Sequence, residues 1–286
     1  MGEIVAAAVL SHQPAIMAPE AIRAGMGGGQ DTTLVAGFET VREALDRVEA
    51  DTFVIFDTHF FTTLGHVVAG GDRYHGLYTS DELPMVLNDH PFDFPGAPEL
   101  AGLTAEVAAE KNVPVFNTPS PNIAMQYPTV NIVHYIGRGE KVMRVGICQQ
   151  AERHNFLDFG AVLAEAIQQS DSRVALIGSG GMSHQFPKLD DSSKHAAFDA
   201  SCVLSDEARE KDRHVLDLWE RGDHAAVLDY YPEYQAVKPE GRFGHYLMMA
   251  GALGGRDWTA KGRRMSEYEN ALATGQVHVW FDLEAR

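Results

Sequence analysis

The sequence predicts an α/β protein, built as three α/β/α layers around a central mixed, largely parallel sheet. Two observations predict it. Short, mostly apolar runs recur along the chain, as buried strands do. Segments with apolar residues at helical spacing lie between several of them, and strand–helix–strand alternation is the signature of layered α/β proteins. A third observation sets the domain count. No Ser/Gly linker, composition break, internal repeat or low-complexity stretch divides the chain, so residues 1–286 are expected to form one domain.

The elements follow in order. Residues 4–10 form the first apolar run, and 52–56 the second. Between them Val35, Phe38, Val41, Leu45 and Val48 repeat at helical spacing. Further strands are expected at 113–116, 142–148, 173–177 and 276–281. Phe159, Val162, Leu163, Ala166 and Ile167 mark a helix between two of these. The stretch 192–231 reads as mostly helical, with helices at 196–209, 215–220 and 225–231, and another helix is expected at 244–252. The glycine cluster Gly25-Met26-Gly27-Gly28-Gly29 follows a helix-like segment rather than a strand, which makes it a flexible loop and a poor phosphate cradle.

Composition excludes several classes of function. Hydrophobic residues make up 45% and charged residues 22% of the 286, which is ordinary globular usage with ample material for a core. The formal charge is −17, and such a surface repels phosphate backbones and anionic lipid. Nucleic acid and membranes are therefore not expected partners, although an anionic small molecule is still allowed. Two cysteines, Cys148 and Cys202, make no disulfide framework and fit a reducing cytoplasm. The N-terminal stretch has no basic region before its apolar run and leads into Ser11-His12, so neither a secretion signal nor a membrane span is expected.

Among 13 histidines, three stand out by position. His12 follows the first strand, His59 the second, and His184 the strand at 173–177. Ligand sites in open α/β sheets form beyond the carboxyl ends of the strands, so the three can converge on one crevice. Neutral imidazole is a good ligand for iron and zinc. Two histidines and a carboxylate on one face of a metal leave positions open for substrate and dioxygen. Pattern alone does not choose the carboxylate among 40 acidic residues.

Several ordered segments carry a family resemblance. They are Ser11-His12-Gln13-Pro14, Phe56-Asp57-Thr58-His59 and Gly76-Leu77-Tyr78-Thr79-Ser80-Asp81-Glu82-Leu83-Pro84. They continue with Gly178-Ser179-Gly180-Gly181-Met182-Ser183-His184, Pro232-Glu233-Tyr234, Glu240-Gly241 and Thr274-Gly275-Gln276-Val277. With these the chain resembles the class III extradiol ring-cleavage dioxygenases, the protocatechuate 4,5-dioxygenase superfamily. Within it the chain looks closest to the 3,4-dihydroxyphenylacetate (homoprotocatechuate) 2,3-dioxygenase branch.

The resemblance implies Fe(II) held by His12, His59 and Glu240, with His184 as acid and base. It implies a small aromatic diol and dioxygen as substrates, and a homo-oligomer. Some relatives carry a second catalytic histidine midway along the chain. Here Tyr127, in Met125-Gln126-Tyr127-Pro128-Thr129, stands in that region, which leaves the proton work to His184 with Tyr127 as hydrogen-bond donor. His245 and Arg242, close to Glu240 in sequence, are the weaker candidates for contact with substrate. The rival readings are a zinc enzyme on the same ligands and a metal-binding member that serves as an interaction module. A serine hydrolase is disfavoured, because Gln185 stands where the last glycine of a G-x-S-x-G elbow should be.

Overall fold

The computed structural model describes residues 1–283. Its strands and helices in chain order are β1 (Glu3–Leu10), α1 (Glu20–Met26), α2 (Thr33–Val48), β2 (Thr52–Thr62), β3 (His66–Ala69), β4 (Arg73–Tyr78), β5 (His90–Pro95) and α3 (Pro98–Lys111). Then come β6 (Val115–Thr118), α4 (Tyr127–Ile136), β7 (Lys141–Cys148), α5 (Arg153–Gln169), β8 (Arg173–Ser179), α6 (Asp206–Arg221) and α7 (His224–Tyr234). The chain closes with α8 (Gly244–Ala252), β9 (Lys261–Arg264), β10 (Glu269–Ala271), β11 (Thr274–Gln276) and β12 (Val279–Asp282).

Eight strands form one sheet in the order β6-β3-β7-β2-β8-β1-β12-β9. Its centre, β7-β2-β8-β1, is parallel throughout. β12 and β9 add on antiparallel at one side, and β3 pairs antiparallel with β7 at the other. The sheet is thus mixed with a parallel core, as the sequence predicts.

Side-chain alternation explains the layers. Along a strand, successive side chains point to opposite faces. Ala6, Ala8, Leu10, Phe53, Ile55, Ala175 and Ile177 pack with Leu34, Phe38, Val41 and Leu45 of α2 and Ile132 and Ile136 of α4. The intervening Ala7, Val9, Val54, Phe56, Val174 and Leu176 pack with α3, α5 and α8 on the other side. Because both faces are covered, the central strands are mostly apolar on both sides, and this makes them visible as runs.

Four expectations are corrected. The helix expected at 196–209 does not form as such. That region holds the 3-10 turns Leu189–His195 and Ala200–Cys202, and α6 starts only at Asp206. The Ser205 hydroxyl accepts the Ala208 N–H at 3.1 Å, and Asp206 and Glu207 occupy the positive first turn. The segment expected as a separate helix at 215–220 is the second half of α6. The strand expected at 276–281 divides into β11 and β12. Between them the His278 N–H donates to Ser266 Oγ, and β11 pairs with β10 rather than with the main sheet. The strand expected at 113–116 lies two residues later, as β6.

Candidate metal centre

His12 leaves the end of β1 in a fixed direction. The Ser11 N–H donates to His278 Nδ1 (3.0 Å), and the Ser11 hydroxyl to Gln276 Oε1 (2.5 Å). Asn131 on α4 donates to the His12 carbonyl at 2.8 Å. The His12 ring is held through Nδ1, 2.9 Å from Ser179 Oγ at the end of β8. Its Nε2 is left facing Glu240 Oε1 at 3.1 Å. One ring nitrogen is fixed by the protein and the other presented, which is how metal-binding histidines are oriented.

His59 is aimed by a bulge. β2 pairs in register with β7 up to Asp57 and then slips, resuming at Phe61. Bulges next to functional sites re-aim side chains in this way. Asp57 holds the bulge: Oδ1 accepts the N–H groups of His59 and Phe60 (3.0 and 3.2 Å), and Oδ2 accepts Thr129 Oγ1 of α4 (2.6 Å). The His59 Nε2 lies 3.5 Å from Glu240 Oε1.

Glu240 reaches the site from the far end of the chain. Its N–H donates to the Met182 carbonyl (3.1 Å). Its Oε1 accepts the Thr58 hydroxyl (2.6 Å), and its Oε2 the Gly181 N–H (2.5 Å). The next three residues, Gly241, Arg242 and Phe243, all adopt left-handed φ, turning the chain sharply into α8. Glycine is needed at 241, where a Cβ would come 2.7 Å from Thr58 Cγ2 as well as sitting at φ +54°.

One ligand atom from each of His12, His59 and Glu240 lies within 4.8 Å of the others. Burial alone would push the Glu240 carboxyl up. The charges of His12 and His184 and the hydrogen bonds from His12 and His59 outweigh it and hold the group well below the usual range. Burial would push His59 down, but Glu240, Asp57 and Glu82 together raise it. A buried anion ringed by imidazoles is an electrostatic arrangement that a divalent cation satisfies, and two imidazoles with one carboxylate suit iron or zinc. The donor set therefore fits the group that the resemblance implies.

His184 and Tyr127 stand beside this trio. The His184 Nε2 is 3.9 Å from Glu240 Oε2, on a partly exposed ring in edge contact with Phe186. The Tyr127 hydroxyl, at the start of α4, lies 2.9 Å from His59 Nε2 and 3.5 Å from Glu82 Oε2. Burial, reinforced by the Glu240 and Glu82 charges, pushes its pKa up, so it stays a neutral O–H.

A cavity of about 430 Å³ starts at His59 and Tyr127 and runs out between the β4–β5 hairpin and residues 121–127. Asp81 and Glu82 line it, and among the described residues no Lys or Arg does. Arg242 does not line it, and its guanidinium donates instead to the Gln149 carbonyl at 2.6 Å. His245 is fully buried behind the site, with neither ring nitrogen hydrogen-bonded among the described residues and its pKa pushed down by burial to about 4. It packs against the backbone of Gly178 and Gly180.

Thr58, Gly181, Ser179, Asp57 and Asn131 did not emerge from the sequence as site residues. Their roles depend on partners far along the chain. Only adjacency to His59 and His184 could have signalled Asp57, Thr58 and Gly181.

Comparison with known proteins agrees with this geometry. Residues 6–281 match the family described as the catalytic LigB subunit of aromatic ring-opening dioxygenase. The chain is 28% identical over 258 residues to the 3,4-dihydroxyphenylacetate 2,3-dioxygenase of Escherichia coli, covering 89% of this chain and 91% of that one. Its fold is similar to the crystal structure of the uncharacterized protein JW3007 from Escherichia coli K12, with a TM-score of 0.63 at 15% identity over 97% of this chain and 100% of the other. A match across nearly the whole length, joined to a two-histidine, one-carboxylate cluster at the strand ends, makes this chain a member of the LigB family of aromatic ring-opening dioxygenases and an extradiol-type oxidoreductase.

Proposed function

We propose that this enzyme uses Fe(II), held by His12, His59 and Glu240, to open a catechol ring beside its two hydroxyls and to insert both atoms of dioxygen. The product would be a hydroxymuconic semialdehyde. The observation that carries the reading is the convergence of His12 Nε2, His59 Nε2 and Glu240 Oε1, with His59 also lining the inner end of the cavity. When bound there, iron supplies a template for both substrates and a path for electrons between them.

The protein's own groups do the rest. Ser179 and the Asp57-held bulge fix the two imidazoles, so the ligand face is set before substrate arrives. His184 takes a phenolic proton at Nε2 as the diol binds and returns it to oxygen as the O–O bond breaks. Tyr127, neutral and beside His59, donates a hydrogen bond to the bound substrate. The cavity beyond His59 takes the ring and its substituent.

A substituted catechol is the proposed substrate, and 3,4-dihydroxyphenylacetate is the first candidate, as in the named relative. Among the described residues no Lys or Arg lines the cavity to pair with a carboxylate, so neutral rings belong in the same panel. Unpaired Cys148 and Cys202 suit the reducing cytoplasm in which such catabolism would run. The test is anaerobic loading with Fe(II), followed by a panel of catechols scored by oxygen uptake and the yellow ring-opened product. Turnover of at least one diol, dependent on iron and dioxygen, is expected. Activity with zinc in the absence of dioxygen, or no turnover of any diol, would contradict the reading.

A further inference from the structure

Asp212 sits in α6, away from the three ligands, and is fully buried. No cation pairs with it among the described residues. Its carboxylate instead collects four neutral donors. Oδ1 accepts the Ser183 N–H (2.9 Å) and the Tyr234 hydroxyl (2.7 Å). Oδ2 accepts the Ser183 hydroxyl (2.7 Å) and the Tyr268 hydroxyl (2.6 Å). Burying a carboxylate without a counter-charge is strongly unfavourable unless its oxygens are fully hydrogen-bonded, as they are here. The packing is close: a Cβ at Gly275 would fall 2.2 Å from Asp212 Oδ2.

The residue that takes two of these four bonds is Ser183, next to His184. Backbone bonds hold this segment on two further sides. The His184 N–H donates to Val237 O (3.2 Å) and the Gly275 N–H to Ser183 O (3.0 Å), while the Glu240 N–H donates to Met182 O (3.1 Å). Residues 182–184 thus form a strip between the Glu240 segment and β11, and Asp212 fastens its centre from α6. A surface serine cap would suffice to hold a loop. A four-donor buried carboxylate fixes both the position and the rotation of the backbone that carries the His184 ring.

We propose that Asp212, through its paired bonds to Ser183 and the support of Tyr234 and Tyr268, is a positioning residue that sets the His184 imidazole against Glu240 and the substrate. The proposal rests on reading His184 as the group that moves the proton. Asn is the informative replacement, since its amide keeps the shape of Asp but offers one acceptor oxygen in place of two.

In folded, iron-loaded Asp212→Asn, metal content and KM for the catechol are expected to stay near wild type. The kcat should fall on the order of 100-fold, the scale of a misplacement of about 1 Å. Asp212→Asn/His184→Ala should be within about 2-fold of His184→Ala alone, because the two residues act through one group. Multiplicative losses, or an unchanged kcat in a folded Asp212→Asn, would overturn the proposal. If Asp212→Asn does not fold, Ser183→Ala and Tyr268→Phe, each deleting one hydroxyl, take its place in the same cycle.

A readout independent of turnover is the ring-proton NMR signal of His184 in zinc-loaded protein, assigned by its absence in His184→Ala. A single wild-type signal that broadens or splits in Asp212→Asn supports the proposal, and an unchanged signal sinks it. Should wild type cleave no diol, the oxidative reading fails while this measurement still decides the positioning.

Discussion

The Tyr127 hydroxyl lies 2.9 Å from His59 Nε2, the nitrogen that also faces Glu240. One lone pair cannot serve both a metal ion and a phenolic O–H. Metal binding to His59 must release the hydroxyl of Tyr127, a residue that lines the cavity. Tyr127→Phe should therefore bind Fe(II) up to about 5-fold more tightly, the worth of one lost competing hydrogen bond of about 1 kcal/mol. Its kcat should fall at the same time. Metal titration and steady-state kinetics on one preparation check both. Weaker metal binding in Tyr127→Phe would show that the hydroxyl supports His59 rather than competing for it.

Thr58 and Ser179 hold two of the ligands in place. Thr58 donates to Glu240 Oε1, and Ser179 meets His12 Nδ1. Deleting such partners costs on the order of 10- to 100-fold in metal affinity. Thr58→Val, which keeps the side chain's shape, and Ser179→Ala are expected to lose iron on dilution while keeping the wild-type circular dichroism spectrum. A chelator-competition assay measures this. Wild-type affinity in both variants would mean that the ligand face does not depend on its hydrogen bonds.

Gly180 makes room for His245. A Cβ at 180 would stand 2.8–3.0 Å from three atoms of that buried ring, where real contacts do not occur. Gly180→Ala should destabilise the fold by about 1–3 kcal/mol, as overpacking does, and displace the neighbouring Gly181 N–H from Glu240. A lower urea midpoint together with reduced iron content is the expected result.

Stability should depend on pH through three buried histidines that are not among the metal ligands. Burial pushes His66 and His224 down to about 4 and His278 to about 3. In the unfolded chain a histidine titrates near ~6.5, so the unfolded state binds these protons first. Their contribution is complete above about pH 6.5 and is lost as pH falls toward 4. For His278 the reason is visible: Nδ1 accepts the Ser11 N–H while Nε2 donates to the Leu34 carbonyl, and a second ring proton would face the Ser11 N–H. Glu269 and Asp212, both raised by burial, oppose the trend. The urea midpoint should drop between pH 7.5 and 5, and a flat profile would contradict these burials.

Legibility in the sequence followed the range of the interactions. The parallel strands were readable because both of their faces are buried, and His12, His59 and His184 because a histidine just past a strand end is a local pattern. α3 was not seen, since its alanines and threonine give little amphipathic contrast, nor was α4, whose Tyr-Pro start hides a helix that accepts Pro128 in its first turn. The β4–β5 hairpin, which walls the cavity, carries exposed residues such as Leu77 that blur its alternation. Glu240 was legible by resemblance alone, because what distinguishes it from other carboxylates is its bonds to Thr58 and Gly181, remote in sequence. Asp212 was invisible for the same reason.

Glu240 is thus the ligand on which the account rests most heavily. The direct measurement is iron content after anaerobic loading of Glu240→Ala, beside His12→Ala and His184→Ala. The account predicts that Glu240→Ala and His12→Ala fold but hold little iron and consume no oxygen with a catechol, while His184→Ala holds iron and loses most turnover. Full iron and full activity in Glu240→Ala would contradict it.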